Sequence, residues 1–170
     1  MMHKTEAGPT RWGRMVFLAA VVLGLGGCAT ASLTTGKGPD DTGGHQVSER
    51  RLQVVRVASQ QIGIPYRYGG SSRGGFDCSG LVQYTHRKIG IEVPRTTHSQ
   101  WKQARTPVRD YLMPGDLLFF RMGTLKGRHV GIYEGNGLFI HAPSSGKRVS
   151  RSSLDNPFWQ RRLLGAKSFL

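Results

Sequence analysis

The sequence predicts an α+β domain in which helices come first and antiparallel strands follow. Between residues 48 and 90, apolar residues recur at helical spacing in two separate stretches. From residue 113 onward, short apolar runs are separated by turns rich in glycine, proline and asparagine. Because helices and strands are grouped along the chain and do not alternate, the pattern favours an antiparallel sheet over a parallel one.

The first predicted helix begins at Ser48, whose hydroxyl can accept a hydrogen bond from a free amide of the first turn. Apolar residues then follow a helical period, at Leu52, Val55, Ala58 and Ile62. Gly63 and Pro65 disfavour a continued helix, so we expect the helix to end at this point.

The second predicted helix follows the glycine-rich segment YRYGGSSRGG and begins at the run DCSG. Asp77 is a suitable N-cap residue, which places Cys78 in the first helical turn. The residues of its inner face are Leu81, Val82, Thr85 and Ile89. Gly90 stands where a glycine commonly ends a helix.

The remaining elements are predicted from shorter patterns. RTTHSQWKQAR is expected to form a short helix, and MPGDLLFFR a turn followed by a strand. HVGIYEGNGLFIHA is typical of a β-hairpin with a Gly/Asn turn. KRVSR and LLGAKSF are candidates for further strands.

The N-terminal segment has the features of an export signal. Basic residues precede the apolar run Met15 to Leu25, which is too short to be a free-standing transmembrane helix. Leu25-Gly26-Gly27-Cys28 resembles a bacterial lipobox, and this resemblance implies cleavage before Cys28 and acylation of its sulfur. An ordinary signal peptide and an uncleaved anchor are the alternatives.

The chain is therefore expected to have three parts. Residues 1–27 form the lipoprotein signal peptide, and residues 28–46 form a lipidated N-terminus and flexible tether rich in Gly, Thr, Ser and Asp. Residues 47–170 have a globular composition and a length suited to one domain with one core.

The protein is strongly basic. The full chain has a formal net charge of +14, and removal of residues 1–27, which hold three basic residues and one acidic residue, leaves +12. For an exported lipoprotein, the matching polyanions are anionic lipid head groups and cell-wall carboxylates. A solvated basic surface without a partner is the alternative. The sequence has no nucleic-acid-binding signature, so nucleic acid is not an expected partner.

Cys78 is one of two cysteines in the chain. If Cys28 carries lipid, Cys78 is an unpaired thiol in an exported protein and a candidate reactive group. The positive end of the helix dipole and the free amides of the first turn favour a thiolate there. From position alone, a nucleophile and a buried core thiol both remain possible, so a base is needed to decide.

His129 and His141, at the ends of the predicted hairpin, are the best candidates for a base and a residue that orients it. His86 lies about 12 Å along the helix axis from Cys78 and is expected to be a surface residue. His98 lies in a polar segment without evident support. The chain order of cysteine, base and polar orienting residue is that of papain-like peptidases.

If His129 and His141 are to touch, they must project from the same face of the hairpin, because side chains alternate along a strand. A two-residue turn alone would put them on opposite faces. A three-residue loop over residues 134–136 would pair Tyr133 with Gly137 and set the two histidines opposite each other. A β-bulge in a hairpin with an even loop would restore the same parity.

The chain resembles the NlpC-type family of papain-like cell-wall cysteine peptidases. The matching segments cover nearly all of residues 60–170 and are, in order, PYRYGG, GFDCSGLV, VPRTT, MPGDLLFF, HVGIY, FIHA and RSSLDNPFWQ. The resemblance implies a papain-like fold, with the nucleophile at a helix start packed on an antiparallel sheet. It also implies a peptidoglycan hydrolase that cleaves amide bonds of stem peptides or their cross-links through a thioacyl-enzyme.

By the same resemblance, Cys78 is the nucleophile, His129 the general base and His141 the residue that orients it. Tyr66 matches a tyrosine whose hydroxyl lies near the thiol and helps to hold the oxyanion, although core packing would explain Tyr66 taken alone. The backbone amide of Cys78 is the second expected oxyanion donor.

Four further residues are candidates for substrate binding. Asp77 and Ser79 flank the nucleophile, and a role as helix cap is the alternative for Asp77. Arg73 and Arg95 are candidates to meet stem-peptide carboxylates, with a solvated surface charge as the alternative for each.

No cofactor is expected, and the tight Cys/His pairs of a zinc site are missing from the sequence. The expected partners are peptidoglycan stem peptides and a membrane, through the N-terminal lipid, and the expected state is a monomer. Ala29 is not the aspartate linked to inner-membrane retention in the lipoproteins that the chain resembles, which favours the periplasmic face of the outer membrane. A non-catalytic peptidoglycan-binding lipoprotein and a thiol acyltransferase remain alternatives.

Overall fold

The computed structural model describes residues 42–123 and 127–170. The predicted signal peptide, the lipobox with Cys28 and most of the predicted tether lie outside these residues. None of the helices in the two described ranges combines the length and the apolar character needed to cross a membrane.

Helices precede the main sheet, as predicted. In chain order the elements are α1 (Thr42–Ser59), β1 (Ser71–Ser72), β2 (Gly75–Phe76), α2 (Cys78–Arg87), α3 (Thr97–Gln103), β3 (Leu117–Arg121), β4 (Arg128–Gly135), β5 (Leu138–His141), β6 (Ser150–Ser153), α4 (Pro157–Gln160) and β7 (Leu163–Lys167). Strands β3 to β7 form an antiparallel sheet in the order β6-β5-β4-β3-β7, and β1 pairs with β2 in a separate ribbon.

Helix α1 differs from the prediction at its start and in its buried face. It begins at Thr42, so Ser48 lies inside the helix and not at its cap. Both residues are of a type that favours helix starts, and the sequence pattern does not choose between them. Ala58 is buried as predicted and Val55 is partly buried, but Leu52 and Ile62 are exposed, and Val54, outside the predicted face, is buried.

The place of Leu52 in the interior is taken by its neighbour Arg51. The Arg51 guanidinium donates to Asp116 Oδ1 at 2.8 Å, and Asp116 is fully buried just before β3. Arg109 donates to both oxygens of the same carboxylate. This ion-pair network fixes α1 to the start of β3, and a buried carboxylate of this kind needs such compensation.

Helix α2 has both predicted ends. The Asp77 side chain accepts a hydrogen bond from Gly80 N at 2.7 Å, and Cys78 is the first helical residue. At the other end, Gly90 has a φ of +77°, and its amide donates to Arg87 O. Ile91 N donates to His86 O, which completes the Schellman pattern that a glycine at this position allows.

The sheet has an apolar cluster on each face. The larger cluster includes Leu117, Phe119, Val130 and Ile132 from the sheet and Leu81 and Val82 from α2. The smaller cluster consists of Leu118, Phe120, Phe139 and Trp159. Alternating strand residues supply the two clusters, as expected for a sheet covered on both sides.

The β4–β5 hairpin confirms one of the two predicted geometries. The three-residue loop is wrong: Asn136 and Gly137 form a two-residue turn in which both residues have positive φ, +50° and +73°. That turn type twists with the strands and is favoured for short hairpins. An irregularity between Tyr133 and Gly135 adds the extra residue, so the β-bulge restores the parity.

Candidate active site

Cys78 lies at the start of α2 in the wall of an open cavity of about 490 Å³. It is a free cysteine. The residues that line the cavity are Tyr66, Tyr68, Gly69, Asp77, Cys78, Ser79, Arg95, Thr96, Thr97 and Arg128. A half-buried thiol that faces a polar cleft matches a reactive cysteine better than an inert core thiol.

A close approach of backbone holds the loop before Cys78 against the first turn of α2. Asp77 N donates to Gly70 O at 3.0 Å, and Gly69 N donates to Asp77 Oδ2 at 3.0 Å. A Cβ atom on Gly80 would stand 1.9 Å from Gly70 O, so no larger residue fits there. The glycines around the nucleophile are therefore needed for the shape of the site itself.

The environment of the thiol corrects one expectation from the sequence. Burial raises the pKa of Cys78, and the negative charge of Asp77 adds to this effect. The Thr97 hydroxyl and the amides of Val130 and Ser79 act in the opposite direction, with Thr97 Oγ1 3.7 Å from the sulfur. The helix start alone does not give a resting thiolate, so a base has to take the proton.

His129 and His141 are in contact, as the parity argument required. His129 Nε2 lies 2.8 Å from His141 Nδ1. The register of Tyr133 with Phe139 continues to place Gly131 opposite His141, so the two histidines are diagonal neighbours and not a directly opposed pair. A Cβ atom on Gly131 would lie 2.5 Å from the Phe139 ring. This explains why β4 has a glycine at position 131, between two apolar residues.

A third residue extends this pair. His141 Nε2 lies 3.0 Å from Ser152 Oγ on β6. If each imidazole carries its proton on Nε2, His129 donates to His141 and His141 donates to Ser152. That tautomer leaves His129 Nδ1 as a free acceptor. The amide of Val130, the next residue after His129, already reaches the Cys78 sulfur, so the thiol and this strand are adjacent.

Both imidazoles are neutral at physiological pH. Burial lowers the pKa of His129 to about 4. Burial also lowers the pKa of His141 to about 3, helped by repulsion from a protonated His129 and by the positive charge of Lys147. The Trp159 ring stacks on His129 with centroids 5.6 Å apart and meets His141 edge-on at 5.0 Å. A neutral imidazole held in this way can act as a base.

His86 and His98 lie away from the His129–His141 pair. His86 is fully buried and not on the surface as predicted: His86 Nδ1 lies 2.9 Å from Val82 O, and Nε2 has no hydrogen-bond partner among the described residues. The prediction overlooked that His86 follows Val82 by four residues, on the buried side of α2. His98 is exposed and accepts from the Arg128 guanidinium at 3.3 Å.

Arg95 is neither a solvated charge nor a free carboxylate receptor. Its guanidinium donates to Asp77 Oδ1 at 2.9 Å and to Asp77 Oδ2 at 2.6 Å. It also donates to Ser79 Oγ at 3.0 Å, and the bonds to Asp77 raise the pKa of Arg95. Asp77 is therefore both helix cap and partner of Arg95, and all three side chains lie at the cavity wall.

Arg73 is not part of this site. It is exposed and borders a different cavity, together with Val57, Gln60, Gln61, Tyr84 and Lys88. The structure therefore places Arg73 outside the cavity of Cys78, and its exposure fits the alternative of a solvated surface charge. Arg73 lies in the turn of the β1–β2 ribbon, and the sequence alone does not give the direction of that turn.

Tyr66 lines the cavity beside Cys78. Burial raises the pKa of Tyr66, and the nearby thiol adds to this effect. A neutral phenol keeps its proton and can donate a hydrogen bond into the cleft. Across residues 42–123 and 127–170, no three His, Cys, Asp or Glu side chains are grouped so that they could hold a metal ion.

Four residues of the site were missed in the sequence. Thr97, Arg128, Ser152 and Trp159 each contact the thiol, line its cavity or pack on the histidines. All four fall inside or next to segments that carry the family resemblance. Thr97, Arg128 and Ser152 are of residue types common on any surface, and Trp159 is typical of any core, so only the fold reveals that they belong to the site.

Comparison with known proteins agrees with this geometry. The model of the NlpC/P60 family matches residues 63–168. Murein DD-endopeptidase MepH of Escherichia coli is 47% identical over 127 residues, which are 72% of this chain and 47% of MepH. Probable endopeptidase NlpC of the same species is 49% identical over 122 residues, which are 68% of this chain and 79% of that protein.

A solved structure gives the same result. The NlpC/P60 family protein from Bacillus cereus superposes with a TM-score of 0.65 at 31% identity, over 71% of this chain and 40% of that one. The chain thus spans about half the length of MepH and less than half of the Bacillus protein. With a family match over most of the described residues and close relatives in sequence and fold, the chain belongs to the NlpC/P60 family.

Proposed function

We propose that this protein is a cysteine endopeptidase that hydrolyses amide bonds in peptidoglycan stem peptides or their cross-links. The observation that carries the proposal is the set of contacts from His129 through His141 to Ser152, on a strand whose next residue, Val130, binds the free Cys78 sulfur through its amide. A binding protein has no need for a buried, neutral imidazole pair behind a cleft thiol. The name of MepH, a murein DD-endopeptidase, makes the D,D cross-link the first bond to test.

The reaction follows from the resting protonation states. His129 Nδ1 takes the thiol proton as the Cys78 sulfur attacks the substrate carbonyl. The amide of Cys78 and the hydroxyl of Tyr66 are the donors available to the oxyanion. The His129 imidazolium, stabilised by His141, then protonates the leaving amine. Water, deprotonated by the same imidazole, attacks the thioester and releases the free acid and the thiol.

The test is digestion of defined muropeptides by the purified protein, with products identified by mass spectrometry. Hydrolysis products are expected from the wild type, and Cys78→Ser should lose nearly all turnover with an unchanged melting temperature. Acyl transfer to an added amine in place of hydrolysis would instead identify a transferase. Tight muropeptide binding without turnover by the wild type would identify a binding protein.

We also propose that the mature protein is anchored by lipid on Cys28 at the periplasmic face of the outer membrane. The lipobox-like residues 25–28 and the tether-like composition that follows them support this. Stable anchoring needs more than one acyl chain, as lipidation of a cysteine thiol and amino terminus provides. Cys28→Ser should release the protein into the soluble fraction while its activity remains. Membrane retention of Cys28→Ser, with no lipid mass on the wild type, would reject the anchor.

A further inference from the structure

The charges around the cleft are not balanced. Three charged side chains line the cavity: Asp77, Arg95 and Arg128. Arg95 forms two hydrogen bonds to the Asp77 carboxylate, so these two charges compensate each other. None of the ion pairs between described residues includes Arg128. The cleft therefore presents one positive charge that the described part of the chain does not neutralise.

Arg128 is held in position without being neutralised. Its guanidinium lies over the Trp101 ring, 5.6 Å from the centroid, and Nη1 donates to His98 Nδ1 at 3.3 Å. Its Nε is buried and has no hydrogen-bond partner among the described residues. A stacked guanidinium with unused donors is preorganised for a planar anion, because less side-chain freedom is lost on binding.

The strand register places two positive charges opposite each other, and a bound anion would reduce their repulsion. Arg128 pairs directly with Arg121 across β3 and β4. Directly opposed residues share a face of the sheet, and like charges in that arrangement destabilise it. Lys167 lies on the same Trp101 ring at 4.8 Å. Positive side chains thus converge beside Trp101, at the side of the cleft formed by α3.

Arg128 also has a fixed relation to the catalytic base. It is the residue before His129 on β4, so their side chains leave opposite faces of the strand. His129 packs on Trp159, whereas Arg128 packs on Trp101 of α3. A substrate group bound by Arg128 would therefore leave the packing of His129 on Trp159 undisturbed.

We propose that Arg128 is a specificity-determining residue that binds a free carboxylate of the substrate and selects against substrates in which that carboxylate is amidated. The inference rests on the proposed function, because the stem peptide supplies the carboxylate. Three carboxylates are candidates: the α-carboxyl of D-glutamate, that of the diamino acid, and the C-terminal one. A neutral carboxamide cannot form the charge-assisted, bidentate contact that a guanidinium makes with a carboxylate.

The experiment uses three pairs of synthetic muropeptides, each pair differing only by a carboxylate or a carboxamide at one of these positions. The wild type should prefer the free acid in one pair by about ten- to a hundredfold in kcat/KM, the range for a hydrogen bond to a charged group. Arg128→Gln should lower kcat/KM for the free acid much more than for the amidated partner and so abolish that preference. Arg128→Lys should retain part of the preference, because it keeps the charge without the bidentate geometry.

Arg87→Gln is the matched control, since it removes one exposed positive charge at the end of α2, away from the cavity. It should behave as the wild type does. Equal loss of activity on both members of every pair in Arg128→Gln would overturn the inference, as would an unchanged preference in both Arg128 variants.

A binding measurement separates this inference from the proposed reaction. Cys78→Ser, with and without Arg128→Gln, is titrated with the same muropeptide pairs. A preference for the free acid that disappears with Arg128→Gln supports the inference even if the wild type hydrolyses no muropeptide. Equal affinity for both members of every pair rejects it even if hydrolysis is observed.

Discussion

Ser152 is a positioning residue for the histidine pair. In the tautomer in which His141 Nδ1 accepts from His129, the Ser152 hydroxyl accepts from His141 Nε2 and so favours that arrangement. Without this acceptor, His141 can carry its proton on Nδ1, which would then face the proton on His129 Nε2. The hydroxyl thus acts on the base through one intervening ring.

We expect Ser152→Ala to lower kcat by about ten- to a hundredfold with little change in KM, because a buried donor loses its partner. Ser152→Thr should recover most of the loss, since it keeps the hydroxyl. Steady-state kinetics on one muropeptide, with melting temperatures for both variants, test this. A raised KM at constant kcat would mean that Ser152 contacts substrate and does not position His141.

The acid limit of activity should reflect the burial of His129. The pKa of His129 is lowered to about 4, and protonation removes the acceptor that the thiol needs. Activity should therefore persist from neutral pH to about pH 5 and fall as the pH approaches 4, well below the ordinary histidine value near 6.5. The pH profile of kcat/KM measures this, and an acid limb centred at 6.5 would contradict it.

At the level of elements, α1 depends on a buried carboxylate. Asp116 is fully buried and pairs with Arg51, itself almost completely buried, and with Arg109. Asp116→Asn leaves the Arg51 charge buried without its counter-ion. Removing one partner of a buried pair costs about 3–5 kcal/mol. We expect a loss of unfolding free energy of that size, measured by urea denaturation.

The matched control is Glu134→Gln, which breaks the exposed pair between Glu134 and Arg151. Exposed pairs contribute little because water screens them. The control should therefore unfold close to the wild type. Equal effects of the two substitutions would show that burial does not set the strength of these ion pairs.

Local signals explain which elements were predictable. The ends of α2 follow from Asp77 and Gly90, whose side-chain chemistry and backbone freedom act within a few residues of the helix. The start of α1 has two equivalent candidates, so the sequence does not select one. The Asn136-Gly137 turn is the favoured short turn, and the bulge that follows from it was one of the two predicted geometries.

The site was only partly predictable because its residues come from distant segments. Cys78 and the histidine pair follow from a helix start and a strand parity. Ser152, by contrast, is a polar residue on an edge strand, and its type does not distinguish a surface hydroxyl from a hydrogen-bond acceptor beside His141. Arg128 is equally hard to recognise from the sequence. Its charge is available to a ligand because Asp77 pairs with Arg95 and not with Arg128, and the sequence does not show which arginine Asp77 binds.

For the whole molecule, the buried neutral histidines make stability depend on pH. His86 is the simplest case, since it lies in the interior away from the cleft. Burial lowers its pKa to about 4, whereas in the unfolded chain it is near 6.5. As the pH falls from 6.5 to 4, His86 binds a proton in the unfolded state but remains unprotonated in the folded state. The stability that neutral His86 contributes is therefore complete above pH 6.5 and is lost progressively down to pH 4.

We expect His86→Phe to remove this part of the acid sensitivity. A phenyl ring is also planar and aromatic, although somewhat larger, lies near Phe169 and does not titrate. Between pH 7 and pH 4, the unfolding free energy of the wild type should fall by about 3 kcal/mol more than that of His86→Phe. His129 and His141 titrate equally in both proteins, so the difference isolates His86.

Urea denaturation at pH 7, 5.5 and 4 measures this difference in unfolding free energy, with exposed His98→Gln as the control that should follow the wild type. Parallel pH curves for the wild type and His86→Phe would show that His86 is not held neutral in the folded protein.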